Sequence, residues 1–222
     1  MIIAEESFLQ LPPGARAALS AQWGGIANRA LPCGAAVSDS DGQVIASGRN
    51  HAYDTPTGES VLENTGIAHA ELNALARVPT ASEAADLTLW GTQHPCPMCA
   101  AAVSFVGIGR VVYLSEDVTD DASESERAAS HSTVPYRLLD APVWSAVATL
   151  LFLYTGAVLR GDRDGNIRLG MLRCPSVAFL ALELAHDDSL GVLARKGHAL
   201  TDAIDSLWLR LNGLTGDTHT VW

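Results

Sequence analysis

The sequence predicts a layered α/β domain with parallel strand pairs, followed by a helical extension. Three observations lead there. Short apolar strand candidates alternate with helical patterns from about residue 66 to residue 159, which is how parallel strands joined by crossover helices read in a sequence. Before them, Asp39-Ser40-Asp41-Gly42 separates two strand candidates with the composition of a hairpin turn. Finally, 222 residues that are 48% hydrophobic and 18% charged suffice for one good core with an appendage.

Taken in order, a first helix is expected after Pro12-Pro13, ending near Gly24-Gly25 or running on to Ala30. Strands are expected at Ala35–Ser38 and Val44–Ser47, then a long loop over 49–65 that is rich in Gly, Pro, Asn and Thr. A helix over Gly66–Arg77 would be capped by Asn64 or Thr65 and stopped before Pro79. Leu87–Gly91 reads as a buried strand, Cys96–Val106 as a helix entered through prolines and closed before Gly107, and Arg110–Leu114 as another strand. The polar, acidic run over 115–132 reads as a flexible loop or a weak exposed helix. Tyr136–Leu139 is a last strand candidate, followed by an apolar helix over Val143–Leu159. Two further helical patterns, Val177–Ala185 and Leu200–Leu211, make up the extension.

The formal net charge of -11 disfavours nucleic acid as a partner, because phosphate binding draws its affinity from lysine and arginine contacts. Arg160, Arg163, Arg168 and Arg173 form the densest basic cluster, but Asp162 and Asp164 dilute it, and it reads as a solvated loop. Four cysteines in a chain of this length do not make a disulfide scaffold, and the first residues lack the pattern of a secretory leader. A cytoplasmic location is therefore expected. The uncharged stretch Ala141–Leu159 is about long enough to span a bilayer. Its interruptions by Ser145, Thr149, Thr155 and Gly156 favour a buried core helix, so no membrane is expected.

Two short motifs carry the chemistry. His69-Ala70-Glu71 opens one predicted helix and Pro95-Cys96-Pro97-Met98-Cys99 opens another. Cysteines three apart on a helix share a face, and two thiolates with one imidazole suit zinc. A structural zinc site is normally closed by four protein ligands, whereas a catalytic one leaves a position for water. With three candidate ligands, His69, Cys96 and Cys99, the second kind is indicated, and Glu71 is placed to move protons. A lone CxxC also marks redox and zinc-finger sites. The upstream HxE changes the balance, since HxE followed by PCxxC is the pattern of zinc nucleobase deaminases.

With these motifs in view, the sequence resembles the cytidine and deoxycytidylate deaminase superfamily, in the branch of guanine, cytosine and tRNA-adenosine deaminases. The similarity runs from about Leu31 to Leu159 and includes LPCGAAVSDSDGQVIASGRN and GRVVYLSED. The resemblance implies a three-layer α-β-α sandwich around a five-stranded mixed sheet, with 1–159 as the zinc deaminase domain. Residues 160–222 would be a helical extension packed on that core or on a dimer mate. It implies Zn2+ held by His69, Cys96 and Cys99, Glu71 as proton shuttle, and Asn50, Ala70 and the carbonyl of Pro95 as substrate contacts. His94 is a further candidate contact or simply a solvated strand end. The implied reaction is hydrolytic deamination of a small base or nucleoside, the implied assembly a homodimer. tRNA adenosine editing and a non-catalytic zinc module are the alternatives. Two departures bear on substrate: Gln93-His94 replaces the leucine and glutamate usual in the tRNA type, and the path from Asn50 to His69 is longer.

Overall fold

The computed structural model describes residues 3–58, 61–80, 83–119 and 133–214. Most of the acidic run over 115–132 lies outside them. The chain begins with α1 (Ala4–Gln10) and α2 (Pro13–Ala27), where Pro13 occupies a first helical position that needs no amide hydrogen. The hairpin follows as β1 (Gly34–Ser38) and β2 (Val44–Arg49). Its turn is fixed by the Asp39 carboxylate, whose Oδ1 accepts from the backbone nitrogens of Asp41 and Gln43 at 3.1 and 2.8 Å, while Gly42 takes a left-handed φ of 82°.

Then come α3 (Ala70–Leu75), β3 (Thr88–Gln93), α4 (Pro97–Val106), β4 (Arg110–Ser115), β5 (Tyr136–Leu138) and α5 (Pro142–Arg160). The sheet order is β2-β1-β3-β4-β5. β1 pairs antiparallel with β2 and β3, whereas β3–β4 and β4–β5 are parallel, so the sheet is mixed. Helices cover both faces. On one, Ala70, Ala74 and Leu75 of α3 and Val103 of α4 pack with Val37, Leu89 and Val111. On the other, Leu19, Trp23 and Ile26 of α2 and most of α5 join Leu114 in a larger core. Val111 and Leu114 reach opposite faces, as the two-residue period of a strand requires. This is the expected α-β-α sandwich around five strands.

α5 is the one helix among the described residues that is long and apolar enough to cross a membrane. Its Leu150, Leu151 and Leu153 are fully buried and Trp144 is 2% exposed, so its apolar surface is satisfied by the fold itself. Around it gather α6 (Gly165–Arg173), α7 (Pro175–Ala185), α8 (Ser189–Arg195), α9 (Leu200–Asp205) and α10 (Trp208–Gly213). Ile167, Val177, Leu180, Ile204, Trp208 and Leu211 enter the same core as α5. A hydrogen bond from the Ala4 nitrogen to Asp205 Oδ1 (3.3 Å) and an ion pair from Arg29 to Asp188 (3.0 Å) tie the first two helices to the last ones.

Several expectations need correction. The helix expected over Gly66–Arg77 starts only at Ala70, and neither Asn64 nor Thr65 caps it. Asn64 instead takes a left-handed φ of 55° and donates its backbone N–H to His51 (3.0 Å), which belongs to the loop. The pattern over Leu200–Leu211 is broken into α9 and α10 at Ser206 and Leu207. α1, α6 and α8 were not expected: each is short, and α6 begins inside the stretch read as a solvated loop, where Asp164 caps it by accepting from Asn166 and Ile167.

Candidate active site

The two chemical motifs meet because α3 and α4 lie on the same face of the sheet. His69 is the N-cap of α3, with an extended ψ of 156°, and Cys96 is the N-cap of α4, with a ψ of 165°. Pro97 fixes the first turn of α4, which places Cys99 one turn further along the same face. On the other helix, Asn73 locks the entry: its Nδ2 donates to the carbonyls of Arg49 and Ala68, both at 3.0 Å. α3 also rides directly on β2 at Gly48, where a Cβ would stand 2.6 Å from the Ala74 nitrogen and 2.7 Å from the Ala70 carbonyl oxygen. Gly48→Val therefore pushes α3 off the sheet. The expected result is a Tm lower by several degrees and weaker zinc retention, read by thermal melts and metal analysis of the same preparation.

Candidate ligand atoms of His69, Cys96 and Cys99 lie within 4.8 Å of one another. His69 Nδ1 is 3.5 Å from Cys96 Sγ and 3.6 Å from Cys99 Sγ. A tetrahedral zinc with Zn–S of about 2.3 Å and Zn–N of about 2.0–2.1 Å requires S···N edges of about 3.6 Å. The donor set fits zinc in chemistry and in spacing. Without metal, one sulfur donates to the other. The hydrogen bond from Cys99, and further one with His69, hold Cys96 down at about 4 against the opposing effect of burial. Cys99 is pushed far up by that same bond and by burial. Cys96 is thus a thiolate at neutral pH, the form that binds metal. His69 is raised, chiefly by its bond to Cys96.

Glu71 is 8% exposed and its Oε2 lies 3.4 Å from Cys99 Sγ. Burial raises it above the usual carboxylate range, the direction that favours proton transfer near neutrality. The group opens onto a cavity of about 660 Å³, lined by His69, Glu71, Cys96 and Asn50 among others. Asn50 is 2% exposed and its Oδ1 accepts from the Ala52 nitrogen at 2.9 Å, which leaves its amide N–H groups for a ligand.

Residues 14–115 match the model of the cytidine and deoxycytidylate deaminase zinc-binding region. A little under half of the chain is thus similar to the zinc-binding region of the cytidine deaminase superfamily. Among curated deaminases, it is 32% identical to a cytosine deaminase of Candida albicans over 37% of this chain and 51% of that one. It is 28% identical to a tRNA-specific adenosine deaminase of Rickettsia bellii over 43% and 63% respectively. A tRNA(Ile)-lysidine synthase of Deinococcus radiodurans matches at 34% over 37% of this chain and 13% of its own length. The chain thus spans less than two thirds of the length of each of these curated relatives. A solved structure from studies of tRNA:A34 deaminases shares 25% identity with a TM-score of 0.47, over 60% of this chain and 95% of that one.

The matched region carries the His-Cys-Cys group, whose donors suit zinc. The other predicted positions fall around it. His94 lines the cavity, and its ring stands edge-on to Tyr113 at 4.8 Å and tilted against Tyr136 at 5.4 Å. Ala70 and Pro95 are buried beside the ligands, and the cavity wall there is formed by their neighbours His69, Glu71 and Cys96. Sequence reasoning missed Arg29, Cys33, Gln93, Asp117 and Asn166, all on the same wall. Cys33 packs against the core and also faces the cavity. Arg160, read as part of a solvated loop, lines it too. Of these only Gln93 carried a signal, as part of the Gln93-His94 departure from the tRNA-type pattern. It is held by bonds to the Ala148 carbonyl (3.0 Å) and Thr92 (2.7 Å).

Proposed function

We propose that the protein is a zinc-dependent hydrolase that deaminates a small heterocyclic base or nucleoside. One observation carries this reading: among the described residues the metal group has three members, and it shares an open cavity with a buried carboxylate that is not one of them. A closed structural site would have a fourth protein ligand and no cavity.

When bound, zinc supplies Lewis-acid activation of water at neutral pH. The protein's own residues do the rest. Glu71 takes a proton from the attacking water and delivers it to the ring nitrogen, then moves the second to the departing amine. Water's oxygen ends on the ring carbon as a carbonyl, and ammonia leaves. The Asn50 amide orients the ring by donating to one of its acceptors. His94 and the Pro95 carbonyl are the candidates for holding the exocyclic amine.

The charge of -11 supports a small substrate over tRNA, since a phosphate-binding surface needs a concentration of basic residues. A homodimer belongs to the same proposal, with Phe105, 92% exposed on α4, as a point of contact. The test is ammonia release from a panel of bases and nucleosides by protein whose mass is followed by light scattering. Turnover of at least one panel member is expected, together with no salt-sensitive tRNA binding at micromolar protein. Inosine formation at a defined tRNA position, with no turnover of free bases or nucleosides, overturns the reading.

A further inference from the structure

The cavity is longer than the chemistry needs. Beyond the metal group it runs to the corner between α5 and α6, where Thr155, Gly156, Arg160, Asp164, Gly165 and Asn166 form its wall. Its volume of about 660 Å³ lies in the range that takes a drug-sized ligand, roughly 300–1,000 Å³. A lone heterocycle held at Glu71 leaves this far end unfilled.

The far end is polar without being cationic. Arg160 Nη1 donates to Asp164 Oδ2 at 2.9 Å, and Asp164, 3% exposed, also caps α6 through its Oδ1. Arg29, the other basic residue on the wall, is engaged by Asp188 at 3.0 Å. Both partners of that pair hold left-handed backbones with a φ of 53°, a conformation that persists in such residues only where the surroundings impose it. Asp117 adds a further carboxylate. Each guanidinium therefore already meets a carboxylate, and the two pairs leave no excess positive charge at this end to attract a phosphate. The Asn166 amide and the Thr155 hydroxyl offer donors and acceptors to a neutral group.

Resting on the deaminase reading above, we propose that the α5–α6 corner is a subsite for an uncharged, hydroxyl-bearing substituent on the ring. The substrate is then a nucleoside-sized molecule whose sugar carries no phosphate, and Asn166 is a specificity-determining residue. Gly165 gives direct access to the idea. It lines the cavity, its φ is outside the left-handed region, and a Cβ there meets nothing within 4 Å. Bulk can be added without a clash.

The test measures equilibrium binding of bases, nucleosides and nucleoside monophosphates by calorimetry. It uses full-length, zinc-loaded protein in a Glu71→Ala background, with ammonia release followed in parallel with Glu71 intact. Gly165→Phe is expected to weaken nucleoside binding about tenfold and Asn166→Ala about threefold to tenfold, with binding of the matching base unchanged within about twofold. The monophosphate is expected to bind no tighter than the nucleoside. The subsite is overturned if both variants leave the nucleoside-to-base ratio unchanged, if no nucleoside binds, or if the monophosphate binds more than about tenfold tighter. Failure of the deaminase reading looks different: ammonia release is absent across the panel, while the binding arm still judges the subsite.

Discussion

Glu71→Ala is expected to lower turnover by a factor on the order of 10²–10⁴ while the protein keeps its fold and about one zinc per chain. The reason is the division of labour at the site. The three metal-ligand candidates are His69, Cys96 and Cys99, whereas the Glu71 carboxylate is buried among them as a separate group. Removing it takes away the proton carrier and leaves the metal's donors in place. Glu71→Gln, which keeps the shape and loses the ionisable proton, should fall nearly as far. Ammonia release and metal analysis on the same preparations decide it. Near-normal turnover in the alanine variant removes Glu71 from the mechanism, and loss of zinc in both variants makes it a ligand.

The second large effect is at Cys99, which is fully buried at the base of the group. Cys99→Ser leaves one sulfur and one imidazole, and a hydroxyl is a far poorer zinc donor than a thiolate. Zinc content should fall to a small fraction of one per chain, activity should reach background, and Tm should drop as the binding free energy that links α3 to α4 is lost. Cys96→Ser should follow the same course. A stable, zinc-free and active Cys99→Ser protein would refute the metal centre itself.

How much of this was legible in the sequence depends on the range of the forces involved. The hairpin, the three sheet strands that follow it and the helices α4 and α5 announce themselves locally, through turn chemistry at Asp39–Gly42, apolar runs, and Pro97 and Gly107 at the ends of one helix. The metal ligands were legible because their chemistry demands fixed types at fixed spacing. The start of α3 was misplaced because it is set by Asn73 reaching back to Arg49, a contact across 24 positions that no local pattern encodes. The far wall was not legible for the same reason. Arg160 and Asn166 sit in a stretch whose composition is that of a solvated turn, and only the packing of α6 and α7 onto α5 brings it to the cavity. Position in space, rather than residue type, makes these residues part of the site.

The placement of α5 also has a consequence during synthesis. Its partners on the sheet side, α2, β3 and β4, precede it in the chain, but Ile167, Val177, Leu180, Ile204 and Leu211, which cover the rest of it, follow. A nascent chain that has just emerged past Arg160 therefore carries a 19-residue apolar helix with one flank bare. Translation adds roughly 5–20 residues per second, so that flank stays uncovered for seconds until the later helices arrive. Chaperone engagement on the ribosome should peak in that interval.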